Sequence, residues 1–284
     1  MIKHILFSLA LIAAALLLRF LAAPLLERLP LDYSSETIYS NDNQLRNTPD
    51  AEWKTAELTA RRVDQAIAVN AGALMVQAGL HVYFEDGSPS FETASLYAVD
   101  RQTRMNLTGL GEVSRTGQFL FPLHVQKTTY TYWDPIYIGP RTAVFDHEEK
   151  MDGLLVYVFQ FTADNLDETA GYSYLPDIPE RYLALTNGEG TLWIEPVSGI
   201  VVDYEDQGKS SFIDKSTMSP VAEFSRWDER YTPGTRLAQL ELARSTRLGI
   251  LVMEIWLPAG LVLAGLVWII VKSWSLRNMQ KEVE

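Results

Sequence analysis

The sequence contains no cysteine among its 284 residues, which excludes disulfides, thiolate metal sites and cysteine nucleophiles. It also lacks the common motifs of catalysis and nucleotide binding: there is no GxSxG elbow, P-loop, GxGxxG or HExxH. No spacing of serine, histidine and acidic residues singles out a nucleophile with its base. We therefore expect a non-enzymatic protein with no catalytic residue, no cofactor and no metal ligand.

Acidic residues outnumber basic residues in the middle of the chain. Residues 27–248 carry a formal charge of −14, whereas the two ends together carry +2. An acidic domain repels phosphate backbones and anionic headgroups, so we expect no nucleic-acid partner.

The first long apolar run covers Ile5 to Leu26, interrupted only by Ser8 and Arg19. A helix of this length spans the roughly 30 Å hydrocarbon core of a bilayer. Lys3 precedes it and favours a cytoplasmic N-terminus, and Arg19 is expected to snorkel toward the outer interface. A cleaved signal peptide with its apolar core at Ile5–Leu18 stays open as the alternative, and under either interpretation the middle of the chain is exported.

The second apolar run, Leu248 to Val271, contains a single charge, Glu254. Lys272, Arg277 and Lys281 come directly after it, so the positive-inside rule places the C-terminus in the cytoplasm. We expect Glu254 at headgroup depth, beside Arg247 or water, with an intramembrane functional carboxylate as the alternative. The spacing of Gly260 and Ala264 permits close helix approach, although both residues are also common in any membrane helix.

The middle of the chain alternates short runs rich in Val, Tyr, Phe and Thr with turn residues. This pattern predicts a mainly β domain of about seven to ten antiparallel strands in a sandwich or barrel. The polar stretch 31–50 is predicted to be extended or loosely paired. Hairpin turns are predicted at Asp152-Gly153 and within 195–199. The expected strands are Glu57–Val63, Leu74–Phe84, Ala94–Val99, Thr128–Trp133, Arg141–Glu148, Leu154–Phe161, Thr191–Glu195 and Ile200–Tyr204, with Ser210–Ile213 and Val221–Phe224 as edge strands.

A helix is predicted to begin at Thr232, because Thr is a good N-cap and Pro233 suits the first helical position. No breaker precedes Pro258, where a kink is expected, so this helix should continue into the membrane as a stiff stalk. The predicted organisation is a cytoplasmic N-terminus (1–4), transmembrane helix 1 (5–26), an extracytoplasmic β domain (27–231), a stalk helix (232–247), transmembrane helix 2 (248–271) and a cytoplasmic basic tail (272–284).

Few residues stand out as candidates for a site. His81, His124 and His147 are dispersed, and His147-Glu148-Glu149 is a weak metal pattern. An aromatic cluster either lines a ligand pocket or packs in the core; its members are Tyr130, Tyr132, Trp133 and Tyr137. Asn106-Leu107-Thr108 matches a glycosylation acceptor, which matters only in a eukaryotic secretory pathway.

Several runs occur in an order typical of one family. They are Asp100-Arg101, Phe121-Pro122, Lys127–Asp134, Glu149 with Asp152-Gly153-Leu154 and Tyr157–Phe159, and Trp193 with Glu195-Pro196 and Gly199. With the helix at each end, these runs make the chain resemble the bacterial porin PorA family, formerly a family of unknown function. The resemblance implies a two-helix membrane protein with an extracytoplasmic β domain, and the family name implies a channel.

Two hypotheses about function stay open. The first is a non-enzymatic, two-pass protein of the cell membrane whose outer β domain binds a ligand or an envelope component. The alternative is a porin-like channel or a carrier of lipid or another hydrophobic ligand, acting as an oligomer, because two helices cannot enclose a pore alone. The arrangement also resembles that of scavenger-receptor lipid carriers. Membrane lipid is an expected partner, and a hydrophobic ligand, an envelope component and further copies of the chain are the open alternatives.

Overall fold

The computed structural model describes residues 2–112, 114–134, 139–169 and 180–281. By contacts within the chain it divides into two units, one formed by residues 1–28 and 244–284 and the other by residues 29–243. The first unit is helical, and the second contains the strands.

The unit of residues 29–243 is built on one antiparallel sheet, which has ten strands in the part of the chain that the structure describes. The strands are β1 (Ser34–Leu45), β2 (Lys54–Asn70), β3 (Ala73–Phe84), β4 (Pro89–Val99), β5 (Tyr130–Asp134), β6 (Gly139–Met151), β7 (Leu154–Asp167), β8 (Tyr182–Ile194), β9 (Val201–Asp214) and β10 (Ser219–Tyr231). Their order across the sheet is β4-β3-β2-β1-β10-β9-β8-β7-β6-β5. The predicted mainly β, antiparallel class is confirmed.

The sheet closes on itself through residues 105–112 and 114–118, which lie between its two edge strands. The Leu107 N–H donates to the Ala98 carbonyl of β4 at 2.8 Å, and the Gln118 N–H donates to the Thr131 carbonyl of β5, also at 2.8 Å. Because the connecting segment bonds to both edges, some of the backbone groups that an open sheet leaves unpaired find partners. The result is barrel-like, which is one of the two arrangements that the turn spacing predicted.

The predicted hairpins are present, but the prediction of edge strands was wrong. Met151 pairs with Leu154 around Asp152-Gly153, so that hairpin is confirmed. The polar stretch predicted to be extended or loosely paired contains β1, which is extended and pairs with β2 along its length and with β10 from Tyr39 to Leu45. The segments predicted to be edge strands belong to β9 and β10, which lie in the interior of the sheet.

Helix α3 (Pro233–Leu251) begins where β10 ends, and its first turn is tied to the barrel. The Thr232 hydroxyl accepts from the Thr235 N–H at 3.2 Å, which is the N-cap that the sequence predicted. The Thr235 hydroxyl bonds in turn to the backbone of Ile38 in β1. One turn further on, Leu240 and Ala243 are buried against side chains of the β6–β7 hairpin. Leu237, three residues before Leu240, is exposed.

The other unit consists of helices. Helix α1 (Ile2–Leu17) passes through a π-helical turn (Leu18–Ala22) into the short α2 (Ala23–Leu26). Helix α3 passes through a second π-helical turn (Val252–Trp256) into α4 (Leu257–Lys281). The spans 3–26 and 233–274 are long and apolar enough to cross a membrane by length and composition.

Candidate functional site

The middle of the barrel is a packed aromatic core. The Phe121 ring stacks on Tyr132 at a centroid distance of 5.6 Å and meets the edge of Tyr130 at 5.5 Å. On the β9 side, Tyr204 contacts Tyr39 edge-on at 5.6 Å. Residues of β1 to β3 and of β5 to β9 all contribute to this one buried cluster. The interior at this level is therefore filled by side chains.

A buried ion pair lies on the inner face of β2. Arg62 donates to the Asp64 carboxylate at 2.8 Å, and both side chains are almost fully buried. Burial raises the pKa of Asp64 in spite of its partner. Burial lowers the pKa of Arg62, but the charge and hydrogen bond of Asp64, together with nearby Tyr97 and Tyr39, outweigh this effect, so the pKa lies above its ordinary value. Neighbouring Arg61 points outward to Glu36, so one strand carries an inner and an outer ion pair.

A second buried polar group links β6, β8 and β9. Arg141 lies 3.7 Å from the carboxylate of Glu168, which accepts a 2.6 Å hydrogen bond from the Thr186 hydroxyl. Thr186 is also 2.7 Å from the Ser210 hydroxyl. All four side chains are buried. Charges held this deeply need partners, and here strands far apart in sequence supply them.

The outer face of β7 to β10 holds an open groove of about 430 Å³. Its polar side chains come from alternate positions of neighbouring strands, as the two-residue period of a strand requires. They are Gln160, Glu189, Thr191, Glu205, Gln207, Asp228 and Arg230. Three carboxylates against one guanidinium make the groove acidic, and its amides and hydroxyl supply hydrogen-bond groups.

The histidines do not gather. His81 of β3 is 3.1 Å from Glu92. His124 is exposed in the segment before β5, apart in sequence from His81 and His147. His147 bonds to Asp146 at 2.9 Å, and this hydrogen bond raises the pKa of the imidazole. Within the described ranges, no three His, Cys, Asp or Glu side chains are arranged to hold a metal ion.

The aromatic cluster found in the sequence divides between two environments. Tyr130 and Tyr132 pack in the barrel core, whereas Trp133 packs in the neighbouring cluster around Phe119. Tyr137 lies outside the described residues. Asn106 of the glycosylation pattern is buried, with its amide 3.4 Å from the Gly117 carbonyl, so it is not placed to accept a glycan.

The runs typical of the family meet in space. Gly199 has φ +71° and lies directly against the backbone carbonyls of Phe121 and Pro122. A guanidinium nitrogen of Arg104 donates to the carbonyls of Phe121 and Ser198, which fastens the two segments together. Two of these motifs are therefore explained by the contact between the β8–β9 turn and the chain that enters β5.

The two apolar helices contact each other at a small residue. The Ser8 hydroxyl donates to the Gly265 carbonyl at 2.8 Å, and both partners belong to the helical unit. A Cβ at Gly265 would lie 3.7 Å from the Ser8 Cα, whereas one at Gly260 would meet nothing within 4 Å. The close approach is therefore at Gly265. The spacing of Gly260 and Ala264 did not predict this position.

An ion pair joins the two π-helical turns. Arg19 of the first turn lies 3.4 Å from Glu254 of the second, whose side chain is only 6% exposed. The sequence predicts Arg247 or water as the partner of Glu254 and a position toward the outer interface for Arg19, whereas the structure pairs Arg19 with Glu254. Charged side chains within a membrane helix are costly and commonly pair with each other, as these two do.

Each π-helical turn precedes a proline by two residues, Pro24 in one helix and Pro258 in the other. Proline lacks an N–H and its ring displaces the carbonyl four residues earlier, so the ordinary helix bond fails there. The wider turn re-forms a bond five residues apart: the Ala23 N–H donates to Leu18, and the Leu257 N–H to Val252. Such turns are rare and frequently occur at functional sites.

Comparison with known proteins identifies one family. The chain matches the family described as Porin PorA over residues 4–274. A comparison with curated protein sequences found no match. Among solved structures, the N-terminal dehydratase from the difficidin assembly line shares 11% identity, with 81% of this chain and 87% of that chain covered, at a TM-score of 0.13. A likeness this weak carries no argument.

Proposed function

Because this chain belongs to the Porin PorA family and carries two apolar helices, it is a membrane protein, and we propose a specific role for it. It is a non-enzymatic, two-pass protein that holds its barrel outside the cytoplasm as a binding module for an envelope component. Both termini are cytoplasmic. The role of the helices is anchorage, and the role of the barrel is recognition.

The paired helices support the two-pass arrangement. Ser8 with Gly265 and Arg19 with Glu254 form two polar contacts between the same two helices. Small residues and interhelical hydrogen bonds are what hold helices together in lipid, where the hydrophobic effect gives no help. A first helix removed by cleavage would leave Glu254 without this ion pair.

The distribution of basic residues supports the orientation. Lys3 precedes the first helix, and Lys272, Arg277 and Lys281 lie beyond the second apolar run. The positive-inside rule keeps both sets in the cytoplasm, which leaves the acidic barrel outside.

The packed interior is the observation that favours binding over conduction. Rings of Phe121, Tyr132, Phe159 and Tyr204 occupy the level where a path along the barrel would run. A recognition surface must then lie on the outside, and the acidic groove on β7 to β10 is the surface that we assign to it. Its carboxylates and amides suit a hydroxyl-rich or cationic envelope component.

The family name favours a second candidate, a porin-like channel or a carrier built from several chains. Planar-bilayer recordings of the purified full chain separate the two. The binding role predicts a bilayer without discrete current steps at any chain density. Reproducible steps whose frequency rises steeply with chain density would establish the oligomeric channel instead.

Retention on isolated cell envelope tests recognition. We expect the double substitution Glu205→Lys with Asp228→Lys to reduce retention of the detergent-solubilised full chain. The matched control, Glu57→Lys with Glu85→Lys, makes the same charge change at exposed positions outside the groove and should leave retention unchanged. Equal retention of the unchanged chain and both variants would show that the groove does not bind the envelope.

A further inference from the structure

The β2–β3 hairpin ends in an uncharged, apolar tip. The stretch from Gln65 to Phe84 contains no Asp, Glu, Lys or Arg, within a domain of strongly negative charge. The β3 side of this end of the hairpin is well packed, since Leu74 and Val76 are fully buried. On the β2 side, Ile67 and Val69 are each 54% exposed, although Val69 pairs with Leu74. A firmly anchored hairpin therefore presents aliphatic side chains that are more than half exposed.

The turn at this tip has an apolar residue where another turn of the same chain has a polar one. Ala71 (φ +49°) and Gly72 (φ +85°) connect β2 to β3, while Asp152 (φ +49°) and Gly153 (φ +80°) connect β6 to β7. Asn, Asp and Gly are preferred at the first of these positions, because they tolerate positive φ and bond with water or the backbone. The Ala71 side chain cannot form such a hydrogen bond, and it adds apolar surface to the tip.

The segment that follows the first apolar helix in the chain packs beside this hairpin. Leu29 follows the last residue of α2, Leu26, by three residues, a span of at most about 11 Å for an extended chain. Leu29 is buried in the same cluster as Leu74, which lies on β3 close to the turn. The Ala66 N–H then donates to the Tyr33 carbonyl at 2.8 Å, so the incoming segment runs beside the end of β2.

We propose that the apolar tip, defined as Leu31, Ile67, Val69 and Ala71, inserts into the headgroup region of the bilayer that holds the helices. Leu31, which is 60% exposed, lies in the same incoming segment. Exposed aliphatic groups without charge partition into the headgroup and acyl boundary, whereas an acidic surface would be repelled by anionic lipid. The tip gives the barrel a membrane contact besides its helices. The inference rests on membrane anchorage and holds for either orientation of the chain.

The absence of cysteine allows a direct test with single labels. The full chain with Val69→Cys carries an environment-sensitive fluorophore in phosphatidylcholine vesicles, some of whose lipids bear a nitroxide near the headgroup in both leaflets. We expect emission shifted to shorter wavelength and a large loss of fluorescence with the nitroxide lipid. The control is Met218→Cys, an equally exposed apolar residue in the β9–β10 turn, which should show neither effect.

A second substitution checks that the apolar character of the tip is what matters. Ala71→Asp gives this turn the Asp-Gly pair that residues 152–153 already use, so folding should be preserved. We expect it to weaken the quenching of the label at position 69.

Three results would overturn the inference. They are emission typical of water at position 69, a shift to shorter wavelength without quenching by lipid, and full quenching in the presence of Ala71→Asp. The second result would mean that another copy of the chain covers the tip. Because both leaflets carry the quencher, such failures leave the proposed orientation untouched, and impermeant labelling tests that orientation separately.

Discussion

At the scale of the residue, Gly153 and Gly199 occupy turns with similar backbone angles in different surroundings. Gly153 has open space where a Cβ would be, whereas the Cβ of any residue at 199 would collide with the backbone of Phe121 and Pro122. We expect Gly153→Ala to cost roughly 1–2 kcal/mol, from the positive φ alone. Gly199→Ala should cost about 3 kcal/mol or more, because strain and overpacking add. Thermal unfolding followed by circular dichroism measures both, and equal losses would contradict the contact.

The inner and outer ion pairs of β2 offer a matched comparison. Asp64→Asn leaves the charge of buried Arg62 uncompensated, and we expect a loss of about 3–5 kcal/mol in unfolding free energy. Glu36→Gln breaks the exposed pair with Arg61, where solvent already screens the charges, and should change stability little. Denaturant titration of both variants gives the comparison. Similar small losses would show that Arg62 and Asp64 are not buried together.

Acid stability should depend on the β9–β10 turn. Hydrogen bonds from Ser216, first its hydroxyl and then its N–H, lower the pKa of Asp214 from 3.8 to about 2. A carboxylate whose folded pKa is lowered stabilises the fold above its unfolded pKa, and the contribution disappears as pH falls toward the folded value. The stability difference between the chain and Asp214→Asn should therefore shrink between pH 3.8 and about 2. A difference constant over that window would contradict this role.

The ion pair of Arg19 with Glu254 could not be predicted from either residue alone. Arg19 and Glu254 were both conspicuous as charges in apolar runs, but 235 positions separate them. Their pairing depends on the register of the two helices, which Ser8 and Gly265 set. The prolines at residues 24 and 258 do indicate where each helix changes its hydrogen bonding, because proline cannot make the ordinary helix bond. Arg19 and Glu254 lie in the two turns that precede these prolines.

At the scale of the element, hydrophobic alternation located most strands but not β1. This strand is rich in Ser, Asn and Asp, and the residues that face inward include Tyr39 as well as Asn43. A strand flanked on both sides obtains its hydrogen bonds from its neighbours and needs little apolar surface of its own. In β10, Arg226, Asp228 and Arg230 are exposed, while Trp227 and Glu229 between them are buried. Because Glu229 is both charged and buried, β10 lacks the alternation of apolar and polar residues that identifies a strand.

The junction of α3 with β1 contains one hydroxyl that bonds twice to Ile38, beside a backbone bond from the Thr232 N–H to the Ile38 carbonyl at 3.0 Å. Thr235 accepts from the Ile38 N–H and donates to its carbonyl. Thr235→Val keeps the shape and removes both bonds, which should cost roughly 1–3 kcal/mol because the N–H of Ile38 then lacks a partner. Thr235→Ser, which keeps the hydroxyl, is the control. Hydrogen exchange should speed up at Ile38 in the Val variant only, and unchanged exchange would sink the assignment.

The helix pair can be tested by cross-linking in membranes. We expect Ser8→Cys with Gly265→Cys to form a disulfide under mild oxidation, because their backbones are in contact. After proteolysis within the barrel, the terminal fragments should stay together until they are reduced. The control pair, Ser8→Cys with Gly260→Cys, should separate without reduction. Separation of both pairs would mean that the helices do not pack at Gly265.

At the scale of the whole molecule, the sequence predicted the fold class, the two apolar helices and the family. The choice between a sandwich and a barrel could not be predicted, because closure depends on residues 105–112 and 114–118, which carry no strand pattern and pair with the edge strands through isolated bridges. The outer groove was equally invisible, since its side chains come from four strands and become neighbours only when the register is known.

The proposed orientation has the barrel outside the cell and both termini in the cytoplasm. The most direct measurement is labelling of intact cells with a membrane-impermeant maleimide, using one introduced cysteine at a time in this cysteine-free chain. Met218→Cys in the barrel should react at once, whereas Lys3→Cys and Lys281→Cys should react only after the membrane is permeabilised. Reaction of either terminal cysteine in intact cells, or protection of Met218→Cys, would contradict the account.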